Sequence, residues 1–339
     1  MRPKEIKSLL KMQLKAGSNP DSEMGSIFLW GQPGVGKSAV VAEVAKEEKV
    51  GCIDFRLVLC DPTDLRGIPI PYTDAKGNQS AKWIAPDELP REGAGFLFFD
   101  DFPTAPPLVQ ASAYQIAIKP HQLGPYRMPE KWVIIGAGNT LKDRSLARPM
   151  PKALSNRFTH IEYEVNLDDW SDWALKHSIN PSVIGFLKYR PELLMAFKPE
   201  QSEEAFPTPR TWEMVSRAVD IITQKGILSQ VIAGDVGAGA AAEFGAFLKL
   251  QNELPSLDKI FEGENIVPSK LDLKYALVSA LAIQAKDNQY NRLVEYSEFL
   301  PEEFSVLMVK MLMSRNREAV GKAKLWPEWA RKHHELIAL

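Results

Sequence analysis

The chain has 339 residues, of which 45% are hydrophobic, and its charged side chains leave a net charge of −2. This length is enough for two or three domains. The near-neutral charge provides no general attraction to nucleic acid or acidic membranes, although it is compatible with a local basic patch. The sequence has no run of 18 consecutive apolar residues, so we expect no membrane span. The charged N-terminal segment is not typical of a secretory signal, and we expect a cytoplasmic protein.

The first predicted elements lead into a phosphate-binding loop. Residues 3–16 place apolar side chains at helical spacing, and residues 27–30 form a short apolar run that is typical of a strand. The sequence GQPGVGKS follows and matches the pattern G-x-x-x-x-G-K-[ST] completely, with a helical pattern after it. The predicted nucleotide-binding residues are Gly31, Gln32, Pro33, Gly34, Val35, Gly36, Lys37, Ser38 and Ala39.

Each residue type in this loop has a chemical role. Glycines allow the backbone to wrap a polyphosphate with its N–H groups directed inward, and the next helix begins with its positive dipole end at the phosphates. Lys37 can reach the β- and γ-phosphates, and the Ser38 hydroxyl can bind Mg²⁺. The loop therefore predicts ATP and Mg²⁺ as cofactors. GTP stays open, because no motif that recognises the base is visible.

The next stretch predicts a second strand and a protruding hairpin. Residues 52–59 form a strand pattern that turn residues close. The two cysteines, Cys52 and Cys60, are expected to be small core residues. In residues 69–85 two short β-type arms flank a turn at 75–78, which predicts a hairpin.

Two further strands are followed by polar residues. Residues 96–99 are an unbroken apolar run, which suits a strand buried on both faces of a parallel sheet. Asp100 and Asp101 follow it, and this position predicts that they lie at the carboxyl edge of the sheet, where open α/β sheets bind ligands. Residues 132–138 form another predicted strand, which ends in Asn139.

A helix over residues 106–118 and a second hairpin-like stretch over 119–131 are predicted between these strands. The aromatic side chains of Tyr72, Trp83 and Tyr126 lie on the two predicted hairpins, where tips are usually polar. Two interpretations are open: these side chains pack against the flank of the sheet, or they bind a partner.

The α/β half ends with a basic loop, a short helix and a last strand. The loop over residues 141–151 contains Lys142, Arg144 and Arg148. A short helix over residues 152–156 presents Arg157, and residues 159–165 form the last predicted strand.

From residue 166 onward helical patterns dominate. Thr208 as cap and Pro209 at the first helical position predict the start of a helix that carries Arg210. The predicted organisation is an α/β nucleotide-binding domain of residues 1–165, a helical lid of residues 166–255 and a helical C-terminal extension of residues 256–339.

The order of these features resembles that of the AAA+ ATPases, and within them the MoxR-like group. The resemblance covers about residues 20–225 and rests on the segments GQPGVGKS, FLFFDD, APPLVQASAYQI, GAGNT, LSNRF and TPRTWE. It implies an AAA+ P-loop NTPase fold, in which a parallel sheet is flanked by helices and followed by an α-helical lid and a helical C-terminal extension.

The resemblance implies roles for residues at the end of each strand. Asp100 corresponds to the acid that holds the Mg²⁺ shell, with Ser38 as the other metal ligand. Asp101 stands where this family usually has the glutamate that polarises the attacking water, and its shorter side chain is a departure from the pattern. Asn139 resembles the first sensor, an amide that holds the water or the γ-phosphate.

Two arginines complete the implied catalytic set. Arg157 resembles the arginine finger that reaches into the neighbouring subunit's site, with Arg144 and Arg148 as rivals for this role. Arg210 resembles the second sensor, a lid arginine that contacts the γ-phosphate.

The function that the resemblance implies is ATP hydrolysis by a homo-oligomeric ring, a hexamer, that remodels a partner protein with a von Willebrand factor A domain. Two alternatives stay open. One is a nucleotide-dependent scaffold or switch with little hydrolysis, which the departure at Asp101 favours. The other is a DNA-acting motor, in which Lys142, Arg144 and Arg148 would line a basic channel.

Overall fold

The computed structural model describes residues 1–17, 24–140, 150, 152–198 and 204–337, and the chain divides into two compact units, Met1–Val165 and Asn166–Leu339. The elements of the first unit are α1 (Pro3–Gly17), β1 (Ser26–Trp30), α2 (Lys37–Glu48), β2 (Gly51–Arg56), α3 (Pro62–Arg66), β3 (Ile68–Thr73), β4 (Gln79–Ile84), β5 (Gly95–Asp100), α4 (Pro107–Ala117), β6 (Gln122–Leu123), β7 (Tyr126–Arg127), β8 (Trp132–Gly138), α5 (Lys152–Ser155) and β9 (Phe158–Glu162).

Five of these strands form one parallel sheet in the order β2–β5–β8–β1–β9. The interior strands β5 and β8 are buried along almost their whole length, as their unbroken apolar runs predict. Because all five strands are parallel, their carboxyl ends lie at one edge and their amino ends at the other. The predicted fold class, a parallel sheet flanked by helices with a helical C-terminal region, is confirmed.

Each face of the sheet has its own hydrophobic core. On one face α1 and α2 cover alternate residues of the strands, with Ile6, Val41 and Phe98 almost fully buried. On the other face α4 covers the intervening residues, among them Phe28 and Phe99. Burial of each such side chain stabilises the fold by about 1.5–3 kcal/mol relative to leaving it exposed. The two cores therefore stabilise the sheet and fix the positions of its carboxyl and amino edges.

The edge strand β2 corrects two expectations. It ends at Arg56, and a short 3-10 helix, Leu57–Leu59, replaces the end of the predicted strand. The expectation that both cysteines are core residues was wrong, since Cys52 is exposed and Cys60 is half-buried. The physical reason is that β2 has a neighbour on one side only, and one of its faces is left open to solvent.

Both predicted hairpins are present, and they differ in burial. In the hairpin β3–β4 every residue is exposed or half-buried, and the Tyr72 side chain is 47% exposed. In the short hairpin β6–β7 Tyr126 is buried, and its hydroxyl donates a hydrogen bond to the carbonyl of Pro90 (2.9 Å). For Tyr126 the packing interpretation is therefore confirmed, whereas Tyr72 and Trp83 stay candidates for partner binding.

The second unit is helical. Its α-helices are α6 (Leu167–Lys176), α7 (Pro181–Tyr189), α8 (Pro209–Ile221), α9 (Lys225–Lys249), α10 (Leu257–Glu262), α11 (Leu271–Gln284), α12 (Tyr290–Ser297), α13 (Glu302–Gly321), α14 (Trp326–Lys332) and α15 (His334–Ile337). The α7 and α11 backbones approach closely at Gly185, where a Cβ would collide with the Ser279 side chain. The predicted division of the helical half at residue 255 stays a prediction.

One helical stretch of the described residues, Lys225–Glu253, is long and apolar enough to cross a membrane, and 28% of its most apolar window is buried. A single helix of this kind is weak evidence, because core helices of soluble proteins meet the same criterion. The helix is also interrupted at Gly237, whose φ of 81° is not helical.

Candidate nucleotide site

The predicted phosphate loop lies at the carboxyl end of β1 and opens directly into α2. Two of its glycines, Gly34 and Gly36, have φ values of 77° and 102°, a region that other residues enter at a cost. Gly36 is the N-cap of α2, and within the described chain no side chain caps this helix or places an acid in its first turn. The first N–H groups of α2 are therefore available to an anion at the positive end of the helix dipole.

Lys37 is held at the centre of this edge. Its side chain is only 8% exposed, and its ammonium donates hydrogen bonds to the carbonyls of Gly31 (2.8 Å) and Gln32 (3.0 Å) and to Oδ1 of Asn139 (2.9 Å). Asn139 follows β8, the strand that pairs with β1. The structure thus brings the predicted sensor into direct contact with the loop lysine, across more than one hundred residues of sequence.

Ser38 and Asp100 also meet at this edge. The Ser38 hydroxyl donates to Oδ2 of Asp100 (2.7 Å), and Oδ1 of Asp100 accepts a hydrogen bond from the backbone N–H of Asp101 (2.9 Å). A hydroxyl and a carboxylate are the hard oxygen ligands that Mg²⁺ takes. Among the described residues no three His, Cys, Asp or Glu side chains cluster as a metal site. Mg²⁺ usually keeps several waters and takes one or two carboxylates plus phosphate oxygens, so this pair fits it.

Asp101 has an unusual backbone conformation, with φ 53° and ψ 30°. Asp is one of the few residues other than Gly that tolerates this region. The Asp101 carbonyl accepts hydrogen bonds from the N–H (3.0 Å) and the hydroxyl (2.7 Å) of Thr104, and the buried Phe102 follows it. The hydrogen bonds of Thr104 and the burial of Phe102 therefore fix the turn after β5. This fixed backbone restricts the directions in which the short Asp101 carboxylate can point.

Sequence reasoning missed a third acid near this edge. Asp54 lies on β2 opposite Phe98 of β5, and solvent reaches part of its side chain. Partial burial of the carboxyl group, together with the nearby carboxylates of Asp100 and Asp101, raises the pKa of Asp54, while Arg56 opposes this shift. The available signal was the alternation of polar and apolar residues in β2. Asp54, Asp100 and Asp101 thus place three carboxyl groups near this edge of the sheet.

Arg157 lies at the opposite edge of the sheet. It immediately precedes β9, whose first residue pairs with Ser26 at the start of β1. The phosphate loop begins five residues further along β1, so a strand length of roughly 15 Å separates Arg157 from the loop. The Arg157 side chain is exposed, and within the described residues no hydrogen bond or ion pair engages its guanidinium. Arg157 therefore lies far from the loop of its own chain.

The surroundings of Arg157 are basic. A cavity of about 640 Å³ opens at the amino edge, and Arg157, Arg127, His121 and Gln13 contribute to its lining. His121 Nδ1 lies 2.8 Å from the carbonyl of Ile116, and burial lowers the pKa of His121. Lys119 and Glu130 also contribute to this lining, so basic side chains outnumber acidic ones around the cavity.

Arg210 belongs to the second unit, where the predicted helix start is confirmed. Pro209 is the first residue of α8, and the side chains of Thr208 and Thr211 each accept a hydrogen bond from the other's backbone N–H. Arg210 is exposed at this helix start, and its role as second sensor stays a prediction. The rival fingers Arg144 and Arg148, together with Lys142, lie outside the described residues.

No protein-family model and no curated protein matches the chain. The solved structures to which it is similar include an ATPase described as putative from Cytophaga hutchinsonii, with 15% identity over 98% of this chain and 88% of that one (TM-score 0.35). A point mutant of RuvB from Thermotoga maritima has 16% identity over 82% of both chains (TM-score 0.40). NtrX from Brucella abortus, solved in complex with ADP, has 14% identity over 97% of this chain and 67% of that one (TM-score 0.33). At these identities and TM-scores the similarities establish neither a family nor a function.

Proposed function

We propose that this protein is a Mg²⁺-dependent ATPase that assembles into a ring, in which each subunit supplies Arg157 to the site of its neighbour. The observation that carries the proposal is the contrast within one sheet. Lys37, Ser38, Asp100 and Asn139 meet in direct hydrogen bonds at the carboxyl edge, whereas Arg157 lies at the amino edge with no partner among the described residues. A catalytic arginine at that edge requires a second subunit.

Within one subunit the residues divide the work of phosphoryl transfer. The α2 N-terminus and Lys37 bind the phosphates. The Lys37 ammonium is positioned by its hydrogen bonds to two backbone carbonyls and to the amide oxygen of Asn139. A Mg²⁺ ion would be held by Ser38 and Asp100 and would neutralise charge on the β- and γ-phosphates. Asn139, which contacts Lys37, orients the γ-phosphate or the attacking water.

In this proposal Asp101 is the base that polarises the attacking water, and its short side chain lowers the rate of ATP hydrolysis. Its side chain is one methylene shorter than the glutamate of the resembling family, and its backbone is held by the Thr104 contacts. A base that is misplaced by about 1 Å can lose about 10²-fold in rate, so basal hydrolysis is slow. The same observation favours the alternative function, a nucleotide-dependent scaffold or switch.

The work of the ring is the remodelling of a protein partner. Arg210 closes on the γ-phosphate from the helical unit, and the exposed hairpin β3–β4, with Tyr72 and Trp83, engages the partner. The resemblance to MoxR-like ATPases implies that the partner contains a von Willebrand factor A domain and that the ring is a hexamer.

Mixed subunits test the proposal. A Lys37→Ala subunit lacks a working site but keeps Arg157, and an Arg157→Ala subunit keeps the site but lacks the arginine. Each variant alone should be inactive, and their mixture should recover ATP hydrolysis, with specific activity that rises with protein concentration. If the mixture stays inactive while both variants assemble with wild-type subunits, Arg157 does not act between subunits.

A further inference from the structure

A chain of hydrogen bonds connects Trp30, the residue before the phosphate loop, with Ser155, which stands two residues before Arg157. The indole N–H of Trp30 donates to Nδ1 of His160 (2.7 Å), and Nε2 of His160 lies 2.8 Å from the carbonyl oxygen of Ser155. Because an indole nitrogen only donates, Nδ1 of His160 must accept. In this arrangement Nε2 carries the proton that it donates to the Ser155 carbonyl, and the Ser155 hydroxyl also lies 3.0 Å from Nε2.

The position of the ring is set by the sheet. His160 lies in β9 opposite Phe28 of β1, and its ring stacks on that of Trp30 with centroids 5.9 Å apart. Trp30 in turn contacts the buried Phe28 ring, with 4.4 Å between the ring centroids. Aromatic contacts of this kind restrict the rotamers of both partners, so His160 has little freedom to leave the two hydrogen bonds.

The two ends of this chain lie next to residues that have roles in the proposed mechanism. Trp30 is the last residue of β1 and directly precedes Gly31 of the phosphate loop. Ser155 ends α5 and stands two residues before Arg157, whose backbone N–H donates to the carbonyl of the buried Leu154 (3.0 Å). The carbonyl that His160 holds therefore belongs to the turn that presents Arg157.

We propose that His160 is a positioning residue, which fixes the Arg157 turn by tying it to the start of the phosphate loop. This inference rests on the proposed function, because it concerns the arginine that one subunit offers to the next. It gives each subunit a polar connection between the residue that precedes its phosphate loop and the turn that carries the group acting in its neighbour. A catalytic group must be held to within a fraction of an ångström, and an exposed turn of this length needs such a support.

The test places a His160 variant in one type of subunit at a time. His160→Phe keeps an aromatic ring and removes the hydrogen bonds of both ring nitrogens. Added to the Lys37→Ala subunit, which donates the arginine, it should lower the activity of the mixture with Arg157→Ala by roughly 10- to 100-fold. Added to the Arg157→Ala subunit, which provides the site, it should change activity less than about twofold, since that subunit donates no arginine.

Conservative and control variants separate positioning from general stability. His160→Gln keeps one acceptor and one donor and should restore most of the loss, while Trp30→Phe, which removes the indole donor and keeps a smaller aromatic ring, should reproduce part of it. His177→Phe is the matched control, since His177 also stacks on a tryptophan and lies within hydrogen-bond distance of a backbone carbonyl but belongs to the second unit. It should leave activity unchanged.

Each other outcome contradicts the proposal. An equal loss in both placements would mean a general effect on folding, which the melting temperature of each variant also reports. A loss only in the site-providing subunit would mean that His160 acts on its own phosphate loop, and no loss in either placement would mean that Arg157 needs no such support. Failure of the proposed function itself is distinct, because then the parent mixture without a His160 change is already inactive.

Discussion

The two edges of the central sheet differ in how their functional side chains are held. At the carboxyl edge Lys37 is joined to Asn139, and Ser38 to Asp100, by hydrogen bonds of 2.9 and 2.7 Å. At the amino edge Arg157 is exposed and unpaired among the described residues, and the turn that carries it is held by its backbone and by the Ser155 side chain.

This difference favours two different binding partners, a ligand at the carboxyl edge and a second molecule at the amino edge. A preorganised set of contacts is suited to a ligand that binds within the chain, because its geometry is established before binding. An exposed, always charged guanidinium is suited to a surface that another molecule completes. Under the proposed function the carboxyl edge binds nucleotide and the amino edge acts on a neighbouring subunit, and each prediction below tests one of these two assignments.

The largest effect is expected at the carboxyl edge. Lys37→Ala removes the ammonium that the loop directs at the phosphates, so it should abolish detectable hydrolysis and weaken ATP binding. Lys46→Ala, in an exposed position of the same helix, is the control and should behave like wild type. Binding is measured with a fluorescent ATP analogue, and normal binding and turnover by Lys37→Ala would remove the basis of the nucleotide assignment.

At the amino edge the effect should be on rate alone. Arg157→Ala should lower hydrolysis by about 10³–10⁵-fold, as the loss of an arginine finger does in related systems, while the affinity for ATP stays the same. Lys152→Ala removes an exposed charge from α5, the short helix that precedes Arg157, and should have little effect on hydrolysis. A weakened ATP affinity in Arg157→Ala would show that the two edges are not separate in function.

A substitution at Asp101 separates nucleotide binding from hydrolysis within the carboxyl edge. Asp101→Asn keeps a residue that tolerates the left-handed backbone but removes the charge, so hydrolysis should fall by about 10²-fold below an already slow basal rate, with ATP binding retained. Single-turnover hydrolysis and equilibrium binding measure the two quantities. Undiminished hydrolysis in this variant would place the base elsewhere and favour a different water-orienting group.

The hairpin near the amino edge depends on Tyr126 for its attachment. Tyr126→Phe removes the hydroxyl that donates to the Pro90 carbonyl and leaves that carbonyl without this partner, which should cost about 1–2 kcal/mol in the free energy of unfolding. Tyr72→Phe in the exposed hairpin is the matched control and should cost almost nothing. Equal stabilities by urea denaturation would mean that the Pro90 carbonyl finds water as a substitute.

The smallest effect concerns the charge at Asp54. Because its pKa is raised in the folded chain by partial burial and nearby carboxylates, the charged form destabilises the native state above that raised pKa. Asp54→Asn should therefore raise the melting temperature slightly at pH 7, and the gain should shrink as the pH falls toward the ordinary Asp value of 3.8. A gain that grows on acidification would reverse the sign of this account.

Local sequence patterns are sufficient for the central features of this protein. The phosphate loop is visible in the sequence because its chemistry needs glycines, a lysine and a hydroxyl at fixed spacing within one segment. The buried strands β5 and β8 and the start of α8 are predictable because apolar runs and helix caps act over a few residues. For the same reason the acids at the end of β5 can be placed at the ligand-binding edge from the sequence.

Tertiary structure alone decided which distant residues meet. The contact of Lys37 with Asn139 depends on the pairing of β1 with β8, and the separation of Arg157 from the phosphate loop depends on the parallel pairing of β9 with β1. The exposure of Cys52 follows from the edge position of β2, and the raised pKa of Asp54 follows from its partial burial and from the carboxylates that the pairing of β2 with β5 brings near it. Strand order is set by the packing of whole elements against one another, so a property that depends on a strand's neighbours is not contained in the strand's own residues.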